Sequence, residues 1–321
     1  MSIGQTIFNN LKQKYKKPDK PFRICFCPYK ESMFDCMESV WEEAFADTEE
    51  TVTTIVPLPY FEKKQGIPYE IKHEFSNYYR KQFPLALNNG WDCIIIHNPY
   101  DLYNRLTQTI LFSNHLKNFC DNLVYIPYFV PYKLPLGDTY INTAGAKNSD
   151  LIIVDSEETK ANYDSVLKLH DRNHIEGKVV AWGSPKLDSV NKNNKYIPVE
   201  WTEKIENRKV VLLQTSLNPF YANPDGKIRS IAEYIDHFAQ DENTTLIWRP
   251  HPLFEITLQD YPAHNEIYQK LKKRLQESNK DIFDNTSDYK TAFNVANRMI
   301  SDPSSLITVW KATGKPITII E

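Results

Sequence analysis

Cys93-Ile94-Ile95-Ile96-His97-Asn98-Pro99-Tyr100-Asp101 is the stretch that decides the fold. Four apolar residues run without alternation, three of them β-branched, and the run stops at an Asn-Pro turn signal. A strand apolar at every position is buried on both faces, which is the mark of a parallel sheet covered by helices. Working outward, the same text recurs on both sides. Phe22 to Phe26 reads as a strand, followed by a helix from Ser32 to Phe45 with Met33, Met37, Val40, Trp41 and Ala44 on one stripe. Thr51 to Val56 is a strand closed by Pro57 and Pro59, and Asn77 to Leu85 is a helix. Beyond the central run come a helix from Thr107 to Phe119 and strands at Leu123 to Ile126, Leu151 to Val154 and Val179 to Trp182. Strands separated by amphipathic stretches predict βαβ units.

The text turns polar between Val190 and Arg208, through Asn191-Lys192-Asn193-Asn194-Lys195 and Pro198, and a second α/β series follows. It reads strand Val210–Leu213, helix Ile228–Phe238, strand Thr245–Trp248, helix Asn265–Glu277, strand Asp281–Phe283, helix Tyr289–Val295, strand Arg298–Ile300, helix Pro303–Thr313 and strand Pro316–Ile320. A chain of 321 residues exceeds what one hydrophobic core organises. The expected fold class is therefore α/β, with two Rossmann-like lobes, residues 1–190 and 208–321, facing an interdomain cleft. The last strand ends at Ile319-Ile320-Glu321, where two-lobed transferases continue with a helix that packs back on the first lobe, so the expectation is either a protein without that helix or a shortened second lobe.

Charge and composition exclude several function classes. A net charge of −3 provides no global positive field for a nucleic-acid backbone, so any anionic ligand must be met by local devices. The five cysteines are an odd set, and Cys25, Cys27 and Cys93 sit in apolar runs, as reduced thiols in a cytosolic protein do. No run of about 18 apolar residues and no signal core are present, which predicts a cytoplasmic protein. The first helix places Ile3, Ile7, Phe8, Leu11 and Tyr15 at helical spacing beside Lys12, Lys14, Lys16 and Lys17. That face suits either its own domain or peripheral contact with an anionic membrane.

Ligands of open α/β sheets sit beyond the carboxyl ends of the strands, so the residues following each strand are the candidates for chemistry. After the strand ending at Trp248 comes Arg249-Pro250-His251-Pro252, where two prolines fix the backbone around an imidazole and a cation precedes it. After Ile300 comes Ser301-Asp302-Pro303-Ser304-Ser305, a helix start whose N–H groups suit an anion. Gln214-Thr215-Ser216 follows Leu213, and Gly183-Ser184-Pro185-Lys186-Leu187-Asp188 closes the first lobe. His170 and His174 are four apart, a spacing compatible with a helical metal pair, but Asp171, Arg172 and Asn173 between them read as solvated surface. No Asp/Glu cluster suggests a metal ion, and neither metal nor cofactor is expected.

These motifs in this order, ending at Gly314-Lys315-Pro316-Ile317, resemble the C-terminal half of the CDP-glycerol glycerophosphotransferase family, over about residues 180–321. Upstream, the chain is similar to a subgroup carrying the His97-Asn98-Pro99-Tyr100-Asp101 motif and Tyr125-Ile126-Pro127-Tyr128-Phe129. The resemblance implies a GT-B-like fold and teichoic-acid-type polymer synthesis. It also implies that His251, Ser304 and Ser305 hold the diphosphate of CDP-glycerol, the acceptor being polymer or lipid-linked. Arg249, Ser301, Asp302, Thr215, Gly183 and Ser184 complete the expected donor site. Better-known members carry Trp-His-Gly-Thr with a candidate base, whereas Tyr125 to Pro131 contains no histidine.

His97 directly follows the buried run and is the expected substitute base, with Asp101 orienting its ring and His251 assisting the departure of CMP. Alternative readings are a sugar-nucleotide glycosyltransferase on the same fold and a non-catalytic nucleotide-binding relative.

Overall fold

The computed structural model describes residues 1–29, 31–58, 60–61, 68–69, 90–101, 109–191, 197–286 and 288–320. The expected helix Asn77–Leu85 lies outside them. The chain divides into two compact units, Met1–Ser189 and Val190–Glu321.

The first unit is built on β1 (Phe22–Cys27), β2 (Thr51–Ile55), β3 (Trp91–Ile96), β4 (Cys120–Tyr125), β5 (Leu151–Ile153) and β6 (Val179–Val180). They form one sheet in the order β2-β1-β3-β4-β5-β6, and every pairing is parallel. The apolar run that predicted this sheet is its β3, buried at all six positions. Ile94 and Ile96 pack into one layer of the core and Cys93 and Ile95 into the other, as alternation across a pleat requires. Each such side chain contributes roughly 1.5–3 kcal/mol by leaving water. Tyr60–Phe61 and Pro68–Tyr69 add a small antiparallel pair.

Helix α1 (Ile3–Tyr15) starts at Ser2, whose hydroxyl accepts the Gln5 N–H. Its Ile7, Phe8 and Leu11 are buried in the core layer that holds Phe22 and Ile24. Lys12 pairs with Asp47 and Glu50, and Lys17, just past the helix, with Asp92 and Asp121. Of the two settings the sequence allowed for this helix, the apolar stripe takes the first, packing into the unit's own core. No helix among the described residues is long and apolar enough to cross a membrane.

Two helices differ from the sequence reading. The segment 31–46 is a 3-10 turn, Glu31–Cys36, followed by α2 (Glu38–Ala46). The expected helix Thr107–Phe119 is broken among its described residues into Thr109–Leu111, Ser113–Leu116 and Lys117–Phe119. The Asp101 carboxylate explains the break, since it accepts both the backbone N–H and the hydroxyl of Ser113 and so starts a new turn there. The longest of the helices that went unread is α3 (Glu157–His170), capped by the Ser156 hydroxyl on Thr159 N–H and buried through Thr159, Tyr163, Val166 and Leu167. Its charged text hides a narrow stripe. His170 in its last turn meets Asp138 and His174 beyond it meets Asp164, so the two imidazoles serve different carboxylates.

The short α4 (Lys186–Asn191) leads out of this unit. The second unit holds β7 (Lys209–Thr215), β8 (Thr244–Pro250), β9 (Ile282–Phe283), β10 (Arg298–Ser301) and β11 (Ile317–Ile319) in the order β9-β8-β7-β10-β11, all parallel. Helices α5 (Pro224–Ala239) and α6 (Pro262–Glu277) enclose Trp248, Phe254 and Tyr268 between themselves and the sheet. Helix α7 (Ser305–Lys311) follows β10.

Candidate functional site

The chain reverses its direction of travel across each sheet once, and that is where the helices on its two faces part and leave a crevice. In the first unit the reversal lies between β1 and β3, and in the second between β7 and β10. Both places are spanned by a side chain of the later strand's exit that accepts a backbone N–H from the earlier one. In the first unit, His97 Nε2 accepts the Tyr29 N–H at 2.7 Å. In the second, Asp302 Oδ2 accepts the Ser216 N–H, also at 2.7 Å.

This corrects the expectation for His97. Its ring is completely buried, so desolvation pushes its pKa down to about 3. The lone pair of Nε2 is committed to Tyr29, and the ring's proton therefore sits on Nδ1, which has no partner. A ring that is occupied on its basic nitrogen and resists protonation cannot take a proton from an acceptor hydroxyl. Asp101 does not orient it, being engaged with Ser113. The sequence held a signal for this outcome: His97 prolongs a run already buried at every position, and burial does not stop at the strand's last residue.

At the second unit's reversal point three strand exits are sewn together. His251 N–H donates to Thr215 O at 2.8 Å and Asp302 N–H to Gln214 O at 3.3 Å. Several residues expected to touch a donor hold this frame. Asp302 is buried and ion-paired with Lys227 from α5. Arg249 is buried against Asp284 at 2.6 Å and donates to Thr286 Oγ1 at 3.1 Å, so it is no uncommitted cation. A buried charge needs such a partner, because desolvation without one is prohibitive. Thr215 Oγ1 accepts the Trp248 indole N–H, and Ser301 Oγ donates to the Asp302 carbonyl.

Three expected residues stay available. His251 is half-buried, and its Nδ1 accepts the Leu253 N–H at 3.1 Å. Burial lowers its pKa, so the neutral form with the proton on Nε2 is favoured, and that nitrogen is left to donate. Ser304 Oγ has no partner, and neither does Gln214 Oε1, from the strand exit that sequence reasoning had marked without giving this side chain a role. Ser305 is half-buried at the first turn of α7. A carbonyl-type acceptor, two hydroxyls and an imidazole N–H are thus gathered at one sheet edge.

The Gly183 to Asp188 motif belongs to the first unit and is largely structural there. Asp188 accepts the N–H groups of Ile3 and Gly4, at 3.1 and 2.7 Å, and the Ser39 hydroxyl at 2.8 Å, which ties down the start of α1. Lys186 pairs with Asp35 at 2.6 Å. Gly183 has φ +99°, and a Cβ there would lie 2.7 Å from Ile3 Cγ2. Gly183→Ala is therefore expected to destabilise the fold by about 1–3 kcal/mol, read as a lower urea midpoint. An unchanged midpoint would refute the strain. Ser184 is the exception in this motif, buried with its Oγ unpartnered.

Neither a family model nor a curated protein sequence matches this chain. Solved structures do match. One from Listeria monocytogenes, assigned as a UDP-N-acetylglucosamine 2-epimerase, has a TM-score of 0.60 at 11% identity and covers 94% of this chain and 79% of its own. The UDP-GlcNAc 2-epimerase of Neisseria meningitidis, bound to UDP-GlcNAc, has a TM-score of 0.56 at 13% identity over 94% of this chain and 83% of its own. The wall teichoic acid polymerase TagF covers 97% of this chain and 73% of its own at 13% identity, with a TM-score of 0.46, too low to say more. At these identities the likeness is one of fold, and the fold is the GT-B-like pair of Rossmann-like α/β units.

Proposed function

We propose that the second unit binds the diphosphate of a CDP-linked donor, and that the protein transfers glycerol phosphate, or a related polyol phosphate, to an acceptor hydroxyl in cell-surface polymer synthesis. The acceptor would be polymer or lipid-linked. The observation that carries this reading is the set of uncommitted polar groups at the β7/β10 reversal: Ser304 Oγ, Gln214 Oε1 and the outward-donating nitrogen of His251. The motif order from Gly183 to Ile317 supports the choice of donor. His251, neutral and carrying its proton on Nε2, would donate to the departing phosphate, while Ser304 and Ser305 hold the transferring group. Such transfers depend mainly on positioning and electrostatics. Arg249, Ser301, Asp302 and Thr215 act by holding this edge in shape.

Calorimetric titration with CDP-glycerol tests the reading. The Ser304→Ala/Ser305→Ala variant is expected to bind about tenfold or more weakly, the cost of a charge-assisted hydrogen bond. His251→Ala is expected to lose most turnover while melting close to the wild type, since its ring is only half-buried. Unchanged affinity in the serine variant would remove the donor site from this edge. A second reading, a sugar-nucleotide enzyme, is favoured by the fold neighbour that holds UDP-GlcNAc. Preference for UDP-GlcNAc over CDP-glycerol in the same titration would replace the first reading with it.

A further inference from the structure

Near their carboxyl ends, β8, β7 and β10 place Arg249, Gln214 and Ser301 side by side in one row. The row before it, Trp248, Leu213 and Ile300, packs into the core beneath α5 and α6. By the alternation of a pleat, the three polar side chains turn to the sheet's other face. All are buried, at 5%, 3% and 0% exposure. Two are satisfied within the fold, Arg249 by Asp284 and Thr286, and Ser301 by the Asp302 carbonyl. Gln214, between them, is not. Its Nε2 donates to the Thr215 carbonyl at 3.4 Å, and its Oε1 has no partner. Rotating the carboxamide by half a turn would set Oε1 against that carbonyl and leave Nε2 unpaired, so the fold itself fixes which end of the amide is left over.

A buried amide oxygen without a donor costs free energy, and folded proteins keep few of them. It can only accept, so whatever completes it must bring a hydrogen. The groups beside it have the opposite character. Ser304 Oγ, which lacks a partner, and the outward-facing Nε2 of His251 both donate, as an anion requires. A phosphate oxygen facing Gln214 would set two acceptors against each other, so phosphate alone does not complete this edge. A hydroxyl on the carbon next to the phosphate ester does. We propose that Gln214 determines specificity here, its Oε1 accepting a hydroxyl of the transferred group, so that the edge selects a polyol or sugar phosphate over a phosphate ester without hydroxyls. This deepens the reading above and rests on its placing of phosphate against Ser304 and His251.

The test is a ligand-observed NMR titration of the intact chain with glycerol 3-phosphate, glucose 1-phosphate and propyl phosphate, the last carrying the same charge and no hydroxyl. The wild type is expected to bind one of the first two about threefold to tenfold more tightly than propyl phosphate, the worth of one hydrogen bond. Which of them is preferred tells a polyol from a sugar. Gln214→Met keeps the length of the side chain and removes the acceptor. It is expected to abolish the preference, to leave propyl phosphate binding unchanged, and to melt no lower than the wild type, because the buried oxygen it removes made no bond. Gln214→Leu takes its place should the methionine variant not fold. Equal binding of the three esters by the wild type, binding of none, or a preference that survives the substitution overturns the proposal. So does a loss confined to CMP, which would assign the amide to the nucleoside. Because the three esters carry no nucleotide, failure of CDP-glycerol to bind would end the donor reading and leave the ester preference standing.

Discussion

Replacing Asp302 by alanine is expected to destabilise the protein by about 3–5 kcal/mol, the usual cost of leaving one member of a buried ion pair alone. Lys227 and Asp302 have side chains only 5% and 2% exposed, so the ammonium left behind could not recover its solvation in place. The same change removes the acceptor of the Ser216 N–H, one of the bonds that tie the exit of β7 to that of β10. Denaturant unfolding should show a large fall in midpoint. The informative companion is Lys227→Met/Asp302→Asn, which removes both charges but keeps an oxygen for Ser216 and should recover most of the loss. If Asp302→Ala cost under about 1 kcal/mol, the pair would not hold the frame, and Asp302 would be free for the donor role that its place after the strand first suggested.

Position along the chain made the strand exits legible, but it did not say which exit residues are committed. The buried parallel strands announced themselves: a run such as Cys93–Ile96 has one interpretation, and every strand and helix read from Val210 onward has an observed counterpart within a few residues, the short helices Leu217–Ala222 and Phe254–Leu258 alone being missed there. Side-chain pairing is not written in the same way. Nothing near Arg249 in the sequence points to Asp284, which is 35 residues away and reaches it only because β9 lies beside β8. Lys227 meets Asp302 across 75 residues for the same kind of reason. Four motifs that looked alike as polar strand exits thus divide by topology. Some residues satisfy charges brought together by the sheet, and those left over, Ser304, Gln214, His251 and Ser184, are the ones with chemistry to spare.

The two units solve one structural problem twice. At the point where the sheet order reverses, two adjacent loops lack a strand between them to share hydrogen bonds, and backbone N–H groups there need an acceptor. His97 supplies it for Tyr29 and Asp302 for Ser216. An imidazole and a carboxylate at these positions look catalytic in the sequence, yet each is held where a ligand's neighbours must be rigid. Pre-organisation of a binding edge requires such supports.

The buried imidazole also predicts how the protein responds to acid. With its folded pKa lowered to about 3, against about 6.5 in the unfolded chain, His97 takes up a proton on unfolding at any pH between these values. The unfolded state then binds more protons, so stability rises with pH and is lost as pH falls below 6.5. The slope is about 1.4 kcal/mol per pH unit. Between pH 6.5 and 5 this amounts to about 2 kcal/mol, in a window where carboxylates such as Asp47 and Asp171, whose pKa values are lowered, remain charged and contribute no slope of their own. His251, also lowered by burial, adds to the same trend. The measurement is the unfolding free energy by urea at intervals from pH 7.5 to 5. His97→Gln provides the control, because an amide oxygen can accept the Tyr29 N–H and has no proton to gain. The variant is expected to be less stable than the wild type at pH 7.5, where the ring packs better, and to lose less as the pH falls, so that the two curves converge. Parallel curves would mean that His97 protonates freely in the folded protein, which would restore it as a candidate base.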